Sequence, residues 1–207
     1  MLILAGLGNP GPKHAGQRHN VGFMAIDVIR ERWRFGPDRG RFQSFVSEGA
    51  IDTPAGAVKA LALKPQTFMN DSGRALSEAC KFYKVEPSGV VVFYDEIDLS
   101  PGRFRMKTGG GAAGHNGIRS IAAHIGPDFR RARIGVGHPG HKDKVMPHVL
   151  SDFHKVEHRD WLDHLLKTLA DELPLLVAGE DEKYQTEVMR LAPAEKLDAR
   201  AQGRERG

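Results

Sequence analysis

Apolar residues form strand-like runs and helix-like repeats that alternate along most of this chain. The run from Met1 to Ala5 predicts a buried strand, and the run from Val90 to Tyr94 predicts a central strand covered on both faces. Further strands are expected at 42–51, 57–63, 103–107 and 131–136, and the first two of these form a hairpin. Together they predict an open α/β sheet.

Helical periodicity places amphipathic helices between the strands. Apolar residues recur at three- and four-residue spacing from Val21 to about Trp33, with Asn20 as the expected N-terminal cap. Other helices are expected near 72–83, 116–125 and 156–177. Cys80 lies on the apolar face of its helix and is therefore expected in the core. Pro174 must bend or end the last helix.

A length of 207 residues predicts one domain. We expect it to cover 1–178, because residues 179–207 are charged and poor in large apolar groups, which is typical of a flexible polar tail. The N-terminus has neither the basic start of a signal peptide nor a long apolar segment. The single cysteine excludes an internal disulfide, so the cytoplasm is the expected compartment.

Positive charge is concentrated in one part of the sequence. Residues 103–144 contain nine Lys or Arg against two Asp, although the whole chain carries a net charge of only +4. Arg103, Arg105 and Lys107 alternate with apolar residues, as do Arg131 and Arg133, so each strand would present its cations on one face. This pattern favours a surface that binds nucleic acid over a merely solvated face.

The loop between the first strand and the first helix is unusually long and polar, which is typical of a functional loop. Read literally, Gly6-x-Gly8-x-x-Gly11 matches a dinucleotide-binding fingerprint. Pro10 and Pro12 oppose that interpretation, because they remove backbone donors and delay the helix.

His19, at the end of this loop, is the best candidate for a general base, since imidazole titrates near neutral pH. Asp95 follows the central strand and could orient it. Asn9, Asn70 and Asn116 could bind a substrate amide or an oxyanion without adding charge. Residues 154–158, His-Lys-Val-Glu-His, match a reversed zinc-peptidase pattern, but a third ligand is not evident. No Gly-x-Ser-x-Gly elbow occurs, which leaves water as the nucleophile.

Five motifs, in order, resemble those of the bacterial peptidyl-tRNA hydrolase family. They are Gly6-Leu7-Gly8-Asn9-Pro10-Gly11 with Arg18-His19-Asn20, the block from Lys64 to Gly73, Asp95-Glu96-Ile97-Asp98, Gly114-His115-Asn116-Gly117, and the block from Arg133 to Gly140. The resemblance implies a single three-layer α/β/α domain around a mixed, partly parallel, twisted sheet. It also implies a cytoplasmic, monomeric esterase without cofactor or metal that releases the peptide from peptidyl-tRNA.

The resemblance also implies roles for individual residues. His19 would be the catalytic base, Asp95 its orienting carboxylate, and Asn9 a sensor of the acylated amino group. The residues implied to bind substrate or tRNA are His14, Phe68, Met69, Asn70, His115, Asn116, Lys107, Arg133 and Arg105, with Lys107 and Arg133 as the pair for the tRNA 5′-phosphate.

Three departures from the family pattern stand in the same regions. Residue 14 is His where the family commonly has Tyr, residue 17 is Gln where it has Thr, and Ala112-Ala113 replaces a frequent His-Gly. The main alternative is a non-catalytic RNA-binding relative with the same fold, although such a protein would need neither His19 nor Asp95.

Overall fold

The computed structural model describes residues 1–194, which form seven strands in one sheet and helices on both of its faces. The strands are β1 (Leu2–Gly6), β2 (Arg39–Arg41), β3 (Ser44–Thr53), β4 (Gly56–Pro65), β5 (Val90–Glu96), β6 (Phe104–Thr108) and β7 (Arg130–Gly135). The helices are α1 (Val21–Arg32), α2 (Ser72–Tyr83), α3 (Asn116–Ile125), α4 (Val145–Val149), α5 (Lys155–Glu157), α6 (Asp163–Asp171), α7 (Leu173–Val177) and α8 (Asp181–Leu191).

The sheet is mixed, with the strand order β2-β3-β4-β1-β5-β7-β6. Its four central strands, β4, β1, β5 and β7, are parallel, whereas β2, β3 and β6 pair antiparallel to their neighbours. All seven residues of β5 are buried, as its continuous apolar run predicts. The expected mixed α/β/α architecture is confirmed.

Two apolar cores lie on the two faces of the sheet. One joins α1, α6, α7 and α8 to the sheet, and the other joins α2 and α3. Because side chains alternate between the faces of a strand, Leu4 enters the first core and Ile3 the second. None of the helices in this part of the chain is both long and apolar enough to cross a bilayer.

The structure corrects the expected polar tail over the part that it describes. Residues 181–191 form α8, and Tyr184 and Val188 of this helix are fully buried. The Tyr184 hydroxyl donates to the Leu169 carbonyl, and the Arg130 side chain pairs with Asp181. Four-residue spacing puts both apolar residues on one face, which suffices to dock a charged helix. Residues 195–207 lie outside the described residues, where the tail stays a prediction.

The close packing of α1 against β1 explains two of the glycines. A Cβ on Gly6 would lie 2.2 Å from the Gly22 carbonyl oxygen, and one on Gly8 would lie 2.8 Å from the Phe23 ring. These positions admit no side chain because the loop returns directly over the first turn of α1. Packing therefore explains Gly6 and Gly8 without a bound dinucleotide, and the φ of 100° explains Gly11.

Candidate active site

Loops that follow the parallel strands meet at the carboxyl edge of the sheet, which is where ligands of open α/β sheets bind. The loop after β1 brings His19 to this edge, and β5 brings Asp95. His19 Nδ1 lies 2.8 Å from Asp95 Oδ2, with both side chains buried. The carboxylate accepts the Nδ1–H, so the neutral ring has its free lone pair on Nε2. Nε2 has no hydrogen-bond partner within residues 1–194.

The two groups shift each other's titration. Burial alone would lower the pKa of His19, but the charge of Asp95 and its hydrogen bond outweigh burial, and the pKa is raised above its usual value. Burial would raise the pKa of Asp95, yet His115 and His19 hold it well below its usual range. Asp95 is therefore a carboxylate at neutral pH, as an orienting group must be.

His115 occupies the second oxygen of the same carboxylate. Its Nε2 lies 2.9 Å from Asp95 Oδ1, and its Nδ1 accepts from the backbone N–H groups of Gly117 and Ile118, where it caps α3. A ring that accepts at Nδ1 must carry its proton on Nε2, and this proton is donated to Asp95. Both nitrogens are thus engaged within the protein, although the resemblance implied a substrate contact for His115.

The Asn9 side chain is fixed by the main chain of a neighbouring loop. Its Oδ1 accepts from the Met69 N–H at 2.9 Å, which leaves its Nδ2 as a donor without a partner among residues 1–194. The Asn9 main chain is held on both sides by the Asn20 amide, at 3.0 Å through its N–H and at 2.9 Å through its carbonyl. Asn20 does not cap α1 through its side chain, so that expectation is wrong: its amide is committed to Asn9 instead.

The three residues 68–70 present different surfaces. Met69 is buried, whereas Phe68 is 69% exposed and Asn70 is also exposed. Because Met69 is anchored through Asn9, it fixes the two side chains that flank it at the rim of the site. Asn116, at the start of α3, shares a cleft with the His19–Asp95 pair, and its Oδ1 accepts from Arg119, which leaves its NH2 as a donor.

That cleft, with a volume of about 370 Å³, has the His19–Asp95 pair at one end and apolar walls at the other. The apolar side chains are Ile97 after β5 and Val145, Met146 and Val149 of α4. Lys142 also lines it, so a cationic group stands beside the apolar walls.

The predicted cationic strands pair with each other. In the register of β6 and β7, Arg105 lies opposite Arg133 and Lys107 opposite Arg131, so these four side chains share one face. Opposed like charges are unfavourable unless an anion joins them. Arg105 and Lys107 have no acidic partner in the described part of the chain, and Arg133 has Glu96 only at 3.8 Å.

Arg131 is buried, although it lies on the same face of the sheet as Arg105, Lys107 and Arg133. Arg131 is 1% exposed, and its guanidinium donates to the carbonyls of Gly110 and Gly111 at 2.7 and 2.6 Å. The expectation that this cation faces solvent is therefore wrong, because the chain uses it to hold the glycine loop. In that loop Ala113 has a φ of 47°, a left-handed conformation that favours glycine. The departure at Ala112-Ala113 thus puts a strained residue beside the cleft.

The other two departures from the family pattern, His14 and Gln17, are in contact with each other. His14 Nδ1 lies 2.8 Å from Gln17 Oε1. The His and Gln are therefore a matched pair that closes the loop on itself, and His14 remains half-buried rather than fully exposed.

Sequence reasoning missed Arg18, which anchors the loop that carries His19. This buried guanidinium donates to Glu157 Oε2 at 2.6 Å and to the carbonyl of Asp152 and the hydroxyl of Ser151 at 2.8 Å. Nothing in local periodicity indicates a contact across so many residues. The sequence contains one signal for this contact: a cation stands directly before His19 in a loop with few acidic groups.

The zinc-peptidase alternative is not supported. Glu157 is committed to Arg18, and the His158 ring to Asp163 at 2.8 Å. Within residues 1–194, the one group whose ligand atoms approach closely enough for an ion is His19, Asp95 and His115. The hydrogen bonds among these three already account for the nitrogens and oxygens that face one another.

Comparisons with known proteins agree on one family. The family model described as peptidyl-tRNA hydrolase matches residues 3–196. Peptidyl-tRNA hydrolase of Phenylobacterium zucineum is 67% identical over the full length of both chains, and that of Caulobacter vibrioides is 62% identical over 97% of each. A crystal structure of the Acinetobacter baumannii enzyme is 36% identical with a TM-score of 0.85, covering 94% of this chain and 97% of that one.

Proposed function

Because this chain belongs to the peptidyl-tRNA hydrolase family, we propose that His19 is its general base and that Asp95 orients the ring. The enzyme hydrolyses the ester bond of peptidyl-tRNA. The observation that carries the assignment is the buried His19–Asp95 contact of 2.8 Å, which leaves Nε2 free at the cleft.

The reaction follows from these positions. A water bound at His19 Nε2 loses a proton to the ring as its oxygen attacks the ester carbonyl, and Asp95 stabilises the imidazolium that forms. Amide donors of Asn9, Asn70 and Asn116 stabilise the tetrahedral oxyanion. As the bond to the ribose oxygen breaks, the imidazolium returns its proton to that oxygen. The products are a free peptide and a tRNA with an intact ribose hydroxyl, and only side chains and water take part.

The orientation of Asn9 accounts for selection of blocked substrates. With its Oδ1 bound by the Met69 N–H, its Nδ2–H can donate to the carbonyl of an N-acyl or peptidyl group. An unblocked aminoacyl ester presents an ammonium group at that point instead. An ammonium cannot accept a hydrogen bond, so the Asn9 Nδ2–H would be left unpaired. We therefore assign Asn9 to discrimination between peptidyl-tRNA and aminoacyl-tRNA.

The tRNA lies on the cationic side in this proposal. Lys107 and Arg133, with Arg105 beside them, hold the 5′-phosphate, and the opposed Arg105–Arg133 pair supports an anion between the strands. The apolar part of the cleft, formed by Ile97 and α4, suits the base of the terminal nucleoside. Phe68, Met69 and His14 line the approach, and His115 acts on Asp95 rather than on substrate.

The proposal also covers the oligomeric state and the cellular compartment. The chain acts as a monomer, which is supported by a site assembled from the loops of a single chain. It works in the cytoplasm, because its substrate is a product of translation.

The test is the hydrolysis of N-acetyl-aminoacyl-tRNA by two variants, His19→Ala and the nearly isosteric His19→Asn. Both are expected to lose at least about a thousandfold in kcat with little change in KM, since a general base acts on the transition state. Retained activity in either variant would remove His19 from the chemistry. Thermal unfolding of each variant checks that the fold survives.

A further inference from the structure

A second groove, separate from the catalytic cleft, begins at the same loops. It is lined by Pro10, Gln43, Gln66, Phe68, Asn70 and Arg74. Pro10 follows Asn9, and Phe68 and Asn70 flank Met69, whose N–H binds Asn9. The groove therefore starts where the acyl part of the substrate is proposed to bind. It runs from there toward the turn between β2 and β3 and the first turns of α2.

The chemistry of this groove differs from that of the cationic side. Among the described residues that line it, Arg74 is the one cation, and Gln43 Oε1 accepts from its Nε at 3.1 Å while Asp71 lies 3.7 Å away. Most of its other polar side chains are neutral. Such a lining offers little to a phosphate backbone, which is bound mainly by unpaired Lys and Arg.

Two carboxamides in the groove have unused hydrogen-bonding capacity. Gln66 Nε2 makes only long contacts, 3.3 and 3.4 Å, to the carbonyls of Lys64 and Pro65, and its Oε1 has no partner in the described part of the chain. The Asn70 amide has no hydrogen bond to any of residues 1–194 and is exposed. A carboxamide donates and accepts as a peptide group does, so it can bind main chain whatever the side chains are.

The wall of the groove is formed in part by a tight hairpin turn. Phe42 and Gln43, the two central residues of the β2–β3 turn, have φ values of 54° and 49°, although neither is glycine. This left-handed conformation is the one that two-residue hairpin turns commonly adopt. It lets the Gln43 carbonyl accept from the Gln66 N–H at 2.8 Å and places the Gln43 carboxamide between Arg74 and Glu78. The turn thereby fixes one wall of the groove.

We propose that this groove binds the main chain of the peptide moiety of peptidyl-tRNA, N-terminal to the esterified residue. The inference rests on the proposed function, because that function puts the ester at His19 and the tRNA over the cationic strands. The peptide must then leave the site in another direction, and the groove lies beside Asn9 and Met69, whose chain neighbours Pro10, Phe68 and Asn70 line it. Recognition through carboxamides suits an enzyme whose substrates carry peptides of any sequence.

The experiment compares two substrates on the same tRNA, N-acetyl-alanyl-tRNA and pentaalanyl-tRNA. The variants are Gln66→Ala and Gln43→Gly, the second of which removes a side chain while relieving a left-handed residue. Lys84→Gly is the matched control, since Lys84 has a φ of 53° and lies at the far end of α2. We expect KM for pentaalanyl-tRNA to rise about tenfold in both groove variants: Gln66→Ala removes a hydrogen bond to the peptide, and Gln43→Gly frees the Arg74 side chain that Gln43 holds at the groove wall. N-acetyl-alanyl-tRNA and the control should show no change.

Each other outcome counts against the groove. Equal KM values for the pentapeptide substrate in wild type and both variants would show that the peptide does not lie there. A rise that is equal for both substrates, with an altered salt dependence, would assign the groove to RNA. If the wild-type enzyme hydrolysed neither substrate, the proposed function itself would fail. That result differs from the two outcomes described above, in which the wild-type enzyme is active.

Discussion

At the scale of single residues, one carboxylate organises the site. Asp95 gives one oxygen to His19 and the other to His115, and the two rings lie 4.9 Å apart. Their duties differ because their other nitrogens differ: His19 Nε2 is free at the cleft, while His115 Nδ1 caps α3. His115 therefore shares the negative charge of Asp95 with His19, and this sharing limits how far Asp95 raises the pKa of His19.

This competition predicts a pH effect. His115→Asn keeps a side chain that can cap α3 but removes the donor to Asp95, so His19 gains a stronger partner and its pKa should rise further. Catalysis needs the neutral ring, hence the acid limb of the profile of kcat/KM against pH should move to higher pH. Activity at pH 6 should then fall more than activity at pH 8. An unchanged limb with uniformly lower activity would mean that His115 has only a structural role.

At the scale of elements, the least expected feature is the docking of α8. Tyr184 is fully buried, its ring meets Phe104 edge-on at 5.5 Å, and its hydroxyl donates to Leu169 at 2.8 Å. Burial of this residue joins a helix rich in charge to the core under α6 and α7. The helix is thus part of the domain and not an appendage.

We expect Tyr184→Ala to reduce the free energy of unfolding by about 3–5 kcal/mol, as for other large buried aromatic side chains. Tyr184→Phe should cost only about 1 kcal/mol, because it removes a single hydrogen bond. Urea unfolding followed by circular dichroism measures both. Loss of less than about 1 kcal/mol in the alanine variant would return α8 to the status of a loose tail. At low urea, kcat of the folded fraction should be unchanged.

The sequence predicts the elements that rest on periodicity and misses those that rest on distant contacts. Strands β1 and β5 and helix α1 were predictable, because their apolar spacing is strong. The docking of α8 was not, since Tyr184 and Val188 are the two buried residues of this otherwise charged helix. His19 and Asp95 could be placed at the same edge from strand direction, and motif resemblance supplied the pairing. The Asn20–Asn9 and Arg18–Glu157 contacts depend on tertiary geometry that no local pattern encodes.

At the scale of the whole molecule, charge divides the surface near the site in two. Arg105, Lys107 and Arg133 form one side, with Lys142 across the cleft, and the carboxamide-lined groove forms the other. A substrate that is a polyanion at one end and a peptide at the other fits this division.

Replacing Lys107 and Arg133 together by Ala should raise KM for tRNA substrates and reduce the slope of log KM against log salt by about two, one for each lost phosphate contact. N-blocked amino acid esters of small alcohols should react at an unchanged rate, because they do not reach these cations. Lys59→Ala with Arg34→Ala, an exposed pair outside the cationic strands, is the charge-matched control. A slope that stays constant in the Lys107 and Arg133 double variant would contradict the phosphate role.

The Arg18 anchor has a consequence for the chain during its own synthesis. Arg18 precedes His19, and its partners Ser151, Asp152 and Glu157 are translated more than 130 residues later. A growing copy of this enzyme is itself joined to tRNA on the ribosome, and so it belongs to the class of molecules that the finished enzyme cleaves. Since these contacts form only after residues 151–157 have emerged, we expect a chain truncated before Ser151 to hydrolyse peptidyl-tRNA more slowly than the full chain.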